Sequence, residues 1–202
     1  MELKTFPIGS LQTNCYMAWA EGSDKCILID PGYVPEQLLE EVRRNRKTLE
    51  AILLTHGHFD HVGGVKQLAA DTGCKVYICA QEVKTPLSYS GGDIYYTDTY
   101  EDGDIIHVAG LELQVIHTPG HTPGCVCLLC GDSLFTGDTL FRDSCGRTDL
   151  PGGDMPTLLR SLKKICDLPG NLDVYPGHMD ATTLDRERRF NYYVKYAYEV
   201  LG

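Results

Sequence analysis

The chain has 202 residues, of which 43% are apolar and 23% are charged, and this composition is typical of an ordinary globular domain. Its 28 Asp and Glu residues outnumber its 18 Lys and Arg residues, which gives a formal net charge of −10. Because an acidic chain repels phosphate backbones, the composition argues against a nucleic-acid-binding protein. The N-terminus lacks the cationic start and apolar run of a signal peptide, and no apolar stretch is long enough to predict a membrane span.

Short apolar runs bounded by turn residues predict eight strands: Cys15–Ala20, Cys26–Ile29, Ala51–Thr55, Lys75–Cys79, Leu111–Thr118, Cys125–Leu129, Leu134–Thr136 and Leu172–Tyr175. Helical periodicity predicts four helices: Pro35–Arg46, Asp60–Thr72, Met155–Cys166 and Thr183–Leu201. Asp154 is a candidate N-cap of the third helix. Early hairpins followed by strand–helix units favour a layered α/β fold, and the absence of repeats and linkers predicts one domain over residues 1–202.

Nine cysteines are present, and the odd number without a secretory signal indicates reduced thiols in a cytoplasmic protein. Cys145 lies in a glycine-containing segment that we expect near the functional site. We interpret it as an unreactive thiol rather than a nucleophile.

The strongest functional signal is the segment from Leu53 to His61, in which a predicted buried strand is followed by four potential metal ligands. His56 and His58 alternate along extended backbone, so both imidazoles can face one point. Asp60 and His61 begin the next predicted helix and can face a second point nearby. Imidazole nitrogen and carboxylate oxygen together suit zinc, iron or manganese. The spacing H-x-H-x-D-H is too dense for a chance cluster of surface histidines.

Three further residues occupy the same kind of position, where an apolar strand ends and Gly or Pro turns the chain. They are His121, Asp138 and His178. Rigid strands that deliver polar groups to one rim of a sheet are a common way to build an enzyme site. We therefore expect these three side chains to join the histidines at one centre.

These residues resemble the metallo-β-lactamase superfamily and, within it, the short single-domain bacterial branch of glyoxalase II-like hydrolases. The matching segments are Asp30-Pro31-Gly32, the H-x-H-x-D-H segment, Pro-Gly-His at 119–121, residues 135–141 and Pro-Gly-His at 176–178. The resemblance implies an αββα sandwich of two mixed sheets flanked by helices, without a C-terminal substrate-binding domain. It implies two divalent metal ions, zinc foremost and iron or manganese as alternatives. One would be held by His56, His58 and His121, the other by Asp60, His61 and His178, with Asp138 bridging and Asp30 orienting a ligand imidazole.

The resemblance implies hydrolysis of a thioester such as S-lactoylglutathione by a metal-bridging hydroxide, with Asp60 orienting or deprotonating the water. The alternatives are a mono-iron persulfide dioxygenase on the same scaffold, a lactonase and, least favoured, a non-catalytic metal-binding module. The substrate is a small molecule, and neither a nucleic acid nor a membrane is an expected partner. The family's Gly-His-Glu-Tyr around the last histidine is replaced here by Gly177-His178-Met179-Asp180, so a substrate-contacting Tyr is missing.

Candidate substrate contacts are fewer and rest on weaker signals. Arg147 stands where the family places a lysine, and its guanidinium can grip a carboxylate or, equally, form a surface salt bridge. Tyr95 and Tyr96 lie in the segment Leu87–Tyr100, which reads as a long loop that can cover a substrate entrance. Tyr192 and Tyr196, on the last helix, are candidate contacts of a homodimer, so the sequence predicts a monomer or a homodimer.

Overall fold

The computed structural model describes residues 1–84 and 94–202, and within them the first half of the chain builds a six-stranded mixed sheet. Its strands lie side by side in chain order: β1 (Glu2–Ile8), β2 (Thr13–Trp19), β3 (Lys25–Ile29), β4 (Thr48–Leu53), β5 (Lys75–Cys79) and β6 (Asp98–Tyr100). The first three strands pair antiparallel, whereas β3 to β6 pair parallel.

The second sheet also has six strands, in the spatial order β14, β13, β10, β9, β8, β7. Their bounds are β7 (Ile105–Val108), β8 (Leu111–His117), β9 (Val126–Cys130), β10 (Ser133–Gly137), β13 (Asp173–Pro176) and β14 (Thr182–Thr183). A small hairpin of β11 (Leu140–Phe141) and β12 (Ser144–Cys145) follows β10. Pairing between β10 and β13 is parallel, and the other pairs of this sheet are antiparallel.

Helices cover the outer faces of both sheets. They are α1 (Pro35–Arg44), α2 (Phe59–Val62), α3 (Val65–Thr72), α4 (Ala80–Val83), α5 (Met155–Cys166), α6 (Leu184–Phe190) and α7 (Tyr192–Leu201). Asp154 caps α5 as predicted, since its side chain accepts a hydrogen bond from the backbone N–H of Thr157 at 2.8 Å. None of the helices in the described residues combines the length and the hydropathy that crossing a bilayer requires.

Three buried layers confirm the predicted αββα sandwich. Alternate residues of β2 face opposite sides of the first sheet, with Met17 packing toward α1 and α3 and Tyr16 toward the second sheet. Strands of both sheets meet in the middle layer, where Tyr16 contacts Phe135 edge to face. The third layer joins the second sheet to α5 and α7 through residues such as Leu134 and Val194.

Two helices that the sequence predicts as continuous are each divided into two in the structure. The helix predicted over Asp60–Thr72 is divided at Gly63 and Gly64, where the chain passes against another backbone segment. A β-carbon on Gly63 would lie 2.3 Å from the carbonyl oxygen of Gly32, and one on Gly64 would lie 2.6 Å from that of Pro31. This close approach, with the Gly64 N–H donating to Pro31, explains why the two glycines separate α2 from α3.

The predicted helix over Thr183–Leu201 is divided at Asn191, whose backbone is extended. Its side-chain oxygen accepts hydrogen bonds from the backbone N–H groups of Tyr193 and Val194, which starts α7 as a new helix. Val194, just after the break, is buried, whereas Phe190, just before it, is 65% exposed.

The loop predicted over Leu87–Tyr100 is wrong at its C-terminal end, because Asp98–Tyr100 forms strand β6. Tyr100 is buried in the middle layer, and its hydroxyl donates to the carbonyl oxygen of Leu54. It is therefore a core residue rather than part of a substrate entrance. Residues 87–93 of that loop lie outside the described residues.

Candidate metal centre

The residues predicted to bind metal follow strands whose carboxyl ends meet at one edge of the sandwich. Asp30 follows β3, His56 follows β4, His121 follows β8, Asp138 follows β10 and His178 follows β13. Parallel pairing aligns β3 with β4 and β10 with β13, so their ends fall on the same edge. Asp60 and His61 lie in the short helix α2 beside this edge.

One group consists of three imidazoles. Nε2 of His56 lies 3.1 Å from Nδ1 of His58, and Nε2 of His121 lies 2.8 Å from the same Nδ1. All three side chains are buried. Their nitrogen atoms lie close enough together to hold one ion.

The second group consists of Asp60, His61 and His178, whose ligand atoms also lie within 4.8 Å of one another. Nε2 of His178 lies 3.3 Å from Oδ2 of Asp60, and Nε2 of His61 lies 3.5 Å from the same oxygen. Asp138 stands between the groups, because its carboxylate lies 3.4 Å from Nε2 of His121 in one group and 3.4 Å from Nε2 of His61 in the other.

Four of the five imidazoles are oriented through Nδ1. His121 donates to the carbonyl oxygen of Arg147 at 2.7 Å, and His178 faces that of Leu11 at 3.2 Å. His61 faces the Asp30 carboxylate at 3.0 Å. Nδ1 of His56 faces the Thr55 hydroxyl. Because that hydroxyl donates its hydrogen to Asp30, it accepts a hydrogen bond from the His56 ring. Because these contacts favour a hydrogen on Nδ1, the Nε2 atoms of these four rings point into the centre, where each can offer a lone pair once its ring is neutral.

The charges at the centre shift the pKa values of its members in opposite directions. Burial and the neighbouring His121 lower the pKa of His58 to about 4. Burial opposes ionisation of Asp138, but His61, His178 and His121 lower its pKa to about 2. Burial likewise lowers the pKa of His178, but its hydrogen bonds with Asp138 and Asp60 raise it to about 10. A perturbed set of this kind is characteristic of functional sites.

The donor set fits metal ions. Imidazole nitrogens and carboxylate oxygens face one another across 2.8 to 3.4 Å, which is unfavourable without a shared cation or protons. Nε2 of His61 and Oδ1 of Asp138 are buried, and neither has a hydrogen-bond partner among the described residues. Nitrogen and oxygen ligands without thiolate suit zinc, iron or manganese.

A cavity of about 400 Å³ opens onto the centre. Its lining includes five of the seven candidate ligands (His58, Asp60, His121, Asp138 and His178) and apolar side chains such as those of Leu11, Phe59, Phe141 and Met179. Such an open face distinguishes this centre from a closed structural metal site.

Arg147 also lines this cavity, and its guanidinium forms a two-pronged ion pair with Asp149 at 2.7 Å. Cys145 is a lining residue as well, but burial raises the pKa of its thiol to about 12, so it is not a reactive thiolate. Tyr95 and Tyr96 are 40% and 44% exposed, and neither belongs to the lining formed by residues 1–84 and 94–202.

Two polar residues of the site escape prediction from the sequence. Thr13 donates its hydroxyl hydrogen to Oδ2 of Asp60 at 2.8 Å, although it lies 47 residues away in the chain. Glu82 is buried in α4 and accepts hydrogen bonds from the segments that carry His58 and His121. Neither residue stands in a recognisable motif, and only its burial in the folded chain distinguishes it.

Comparison with known proteins agrees with this geometry. A family model described as the metallo-beta-lactamase superfamily matches residues 8–178. Among curated proteins, the hydroxyacylglutathione hydrolase GloC of Haemophilus influenzae is 32% identical over 206 residues, which cover 95% of this chain and 96% of GloC.

Two similar solved structures bear on the chemistry. ETHE1 from Myxococcus xanthus is 30% identical with a TM-score of 0.82, and the match covers 95% of this chain and 84% of ETHE1. TTHA1623, solved in a di-iron-bound form, is 35% identical with a TM-score of 0.81, and the match covers 95% of this chain and all of TTHA1623.

Proposed function

We propose that this chain, which belongs to the metallo-β-lactamase superfamily, is a dinuclear metal-dependent hydrolase that cleaves a thioester. The observation that carries the proposal is the pairing of two separate ligand groups around one shared carboxylate. Asp138 lies 3.4 Å from a ligand nitrogen of each group. Two sets of donors on either side of one carboxylate suit a pair of ions.

His56, His58 and His121 would hold one ion, and Asp60, His61 and His178 the other. Asp138 would contact both. Bound divalent ions make water acidic enough to attack at neutral pH and polarise the carbonyl group that is attacked. The di-iron form of TTHA1623 supports the count of two, while the donor set also suits zinc or manganese.

Among the residues of the centre, Asp60 is placed to orient the attacking water. The Thr13 hydroxyl donates to its Oδ2 and fixes the rotamer of the carboxylate. Burial opposes its ionisation, but His178, His61 and Thr13 hold its pKa well below the usual range, so it is an anion at neutral pH and can accept a hydrogen bond from water. In thioester hydrolysis, water supplies a hydroxyl group to the acyl carbon and a proton to the departing thiolate. Asp60 can accept a hydrogen bond from that water and so orient it for the attack.

The shape of the cavity supports a small acyl substrate. Its apolar walls, which include Phe141 and Met179, can contact the apolar part of an acyl group. Similarity to the GloC hydrolase favours a glutathione thioester such as S-lactoylglutathione. Arg147 lines the cavity as the candidate contact for a substrate carboxylate, provided that it exchanges its partner Asp149.

The test is to follow loss of the thioester absorbance of S-D-lactoylglutathione with protein loaded with zinc, and separately with iron or manganese. We expect turnover that is abolished in Asp138→Asn, because the amide removes the shared charge while keeping the side-chain shape. The control is Asp132→Asn, an exposed substitution elsewhere that should keep full turnover. No turnover with two ions bound would reject this substrate, and other thioesters and lactones would follow.

A persulfide dioxygenase is the second candidate, and the similarity to ETHE1 favours it. In that case a single iron would be held by two histidines and an aspartate, and the remaining ligands would be uncommitted. Oxygen consumption with glutathione persulfide, at one iron per chain, would establish this activity. Hydrolysis that proceeds at the same rate without oxygen would exclude it as the explanation of thioester turnover.

A further inference from the structure

Glu82 is a buried carboxylate that the proposed reaction does not use. It lies in α4 and is 2% exposed. Its Oε1 accepts a hydrogen bond from the backbone N–H of Gly57 at 2.8 Å. Its Oε2 accepts from the Thr122 hydroxyl at 2.7 Å and from the backbone N–H of Gly124 at 2.8 Å. One side chain therefore joins two loops that are more than 60 residues apart in the sequence.

These two loops carry all three imidazoles of one ligand group. Gly57 lies between His56 and His58, and Thr122 directly follows His121. The carboxylate of Glu82 thereby sets the separation between the first two rings and the third.

The backbone on both sides is built to let Glu82 approach. A β-carbon on Gly124 would lie 2.3 Å from the backbone nitrogen of Glu82. One on Gly57 would lie 3.1 Å from Oε1 of Glu82 and 2.3 Å from the side chain of Ile94. Gly124 has no room for a larger residue, because the backbone of Glu82 lies against it, and at Gly57 the ends of the Ile94 and Glu82 side chains occupy the space that a side chain would need.

The charge of Glu82 adds to this geometric role. Its three donors are neutral, and a buried carboxylate is stable only when hydrogen bonds and a nearby positive charge compensate for lost hydration. A cation among His56, His58 and His121 would supply that positive charge. The same anion would in turn raise the affinity of the three imidazoles for a divalent ion.

We infer that Glu82 is a positioning residue that tunes metal binding in the three-histidine group and leaves the Asp60–His61–His178 group unaffected. The inference rests on the proposed metal centre but not on the proposed substrate. It goes beyond the ligands themselves, because Glu82 contacts the loops and not the ion.

The experiment measures zinc affinity by chelator competition in two backgrounds, each with one ligand group disabled. Glu82→Gln is introduced into His178→Ala, which retains the three-histidine group, and into His121→Ala, which retains the other group. We expect the affinity to fall about 10- to 100-fold in the first background, the range typical of residues that orient metal ligands, and to stay unchanged in the second. An equal fall in both, or no fall in either, would overturn the inference.

Two further variants keep the test decisive. Glu187→Gln also alters a fully buried carboxylate, held by Thr182, Asn191 and Arg186, and should leave zinc affinity unchanged in both backgrounds. If Glu82→Gln does not fold, Thr122→Val removes one donor to Glu82, and a fall confined to the first background is again expected. If Glu82→Gln lowers zinc affinity as expected but the unsubstituted protein does not hydrolyse the thioester, this inference stands and the proposed substrate is rejected.

Discussion

The carboxylate of Asp30 lies 3.0 Å from Nδ1 of His61 and orients that ring toward the centre. The same oxygen accepts the hydroxyl hydrogen of Thr55 at 2.6 Å, and Thr55 in turn accepts a hydrogen bond from His56. Asp30 therefore controls one imidazole in each ligand group. Its backbone lies in the left-handed region at φ 52°, which Asn tolerates as well as Asp.

Substitution Asp30→Asn should weaken metal binding in both groups. The amide keeps the size and backbone conformation of Asp30 but removes the charge that favours an Nδ1–H on His61. We expect about a 10- to 100-fold loss of zinc affinity, measured by chelator competition. Asp24→Asn, at an exposed position, is the matched control and should change nothing. Unaltered affinity in Asp30→Asn would show that Asp30 does not orient the ligands.

Asn191 is not a candidate metal ligand, but we expect it to stabilise the fold. Its side chain caps α7 and donates to the carbonyl oxygens of Phe141 and Ser144, beside the hairpin near the cavity. Substitution by Ala removes the cap and leaves buried carbonyl groups without a donor, so we expect a loss of about 2–3 kcal/mol in the free energy of unfolding. Urea denaturation measures it. Asn45→Ala, at the end of α1, should cost far less, and equal losses would contradict this role.

The layers of the fold and the meeting of the predicted ligands follow from local sequence patterns. Apolar runs such as Leu111–Thr118 correspond closely to strands, and most candidate ligands lie in the turns that follow such runs, while Asp60 and His61 lie in α2. The helix breaks at Gly64 and at Asn191 escape such patterns, because they involve contacts with Pro31 and Phe141, which are distant in the chain. Glu82 is missed for the same reason, since its neighbours in sequence give no sign that it is buried.

Protein stripped of metal should lose stability as the pH rises. Burial lowers the pKa of His178, but hydrogen bonds with Asp138 and Asp60 raise it to about 10 in the folded chain, against about 6.5 in an unfolded one. The proton on His178 thus stabilises the fold fully below about pH 6.5, and this contribution disappears as the pH rises through 10.

Thermal unfolding across this range measures the effect. The melting temperature of stripped protein should fall between about pH 6.5 and pH 10, whereas His178→Gln should show a smaller fall over the same interval. Metal-loaded protein should also show a smaller fall, since the ion replaces the proton. Identical profiles for stripped protein and His178→Gln would contradict the assignment.

Arg147 should contribute to binding rather than to stability. Its side chain and that of Asp149 are 60% and 67% exposed, and an exposed ion pair contributes about 0–1 kcal/mol. Arg147→Ala should therefore leave the urea midpoint nearly unchanged while raising KM for a carboxylate-bearing thioester, with kcat retained. Arg160→Ala, on the exposed side of α5, is the control for loss of a surface cation. Unchanged KM would remove Arg147 from the substrate site.

The central claim, a hydrolase that needs two metal ions, is tested most directly by titrating stripped protein with zinc while following thioester hydrolysis and bound metal together. Turnover should stay low through the first equivalent and reach its plateau at two ions per chain, with no dependence on oxygen. The His178→Ala variant, in which one group is disabled, should bind one ion and show no comparable plateau. Full activity at one ion per chain, or activity that requires iron and consumes oxygen, would contradict the dinuclear hydrolase.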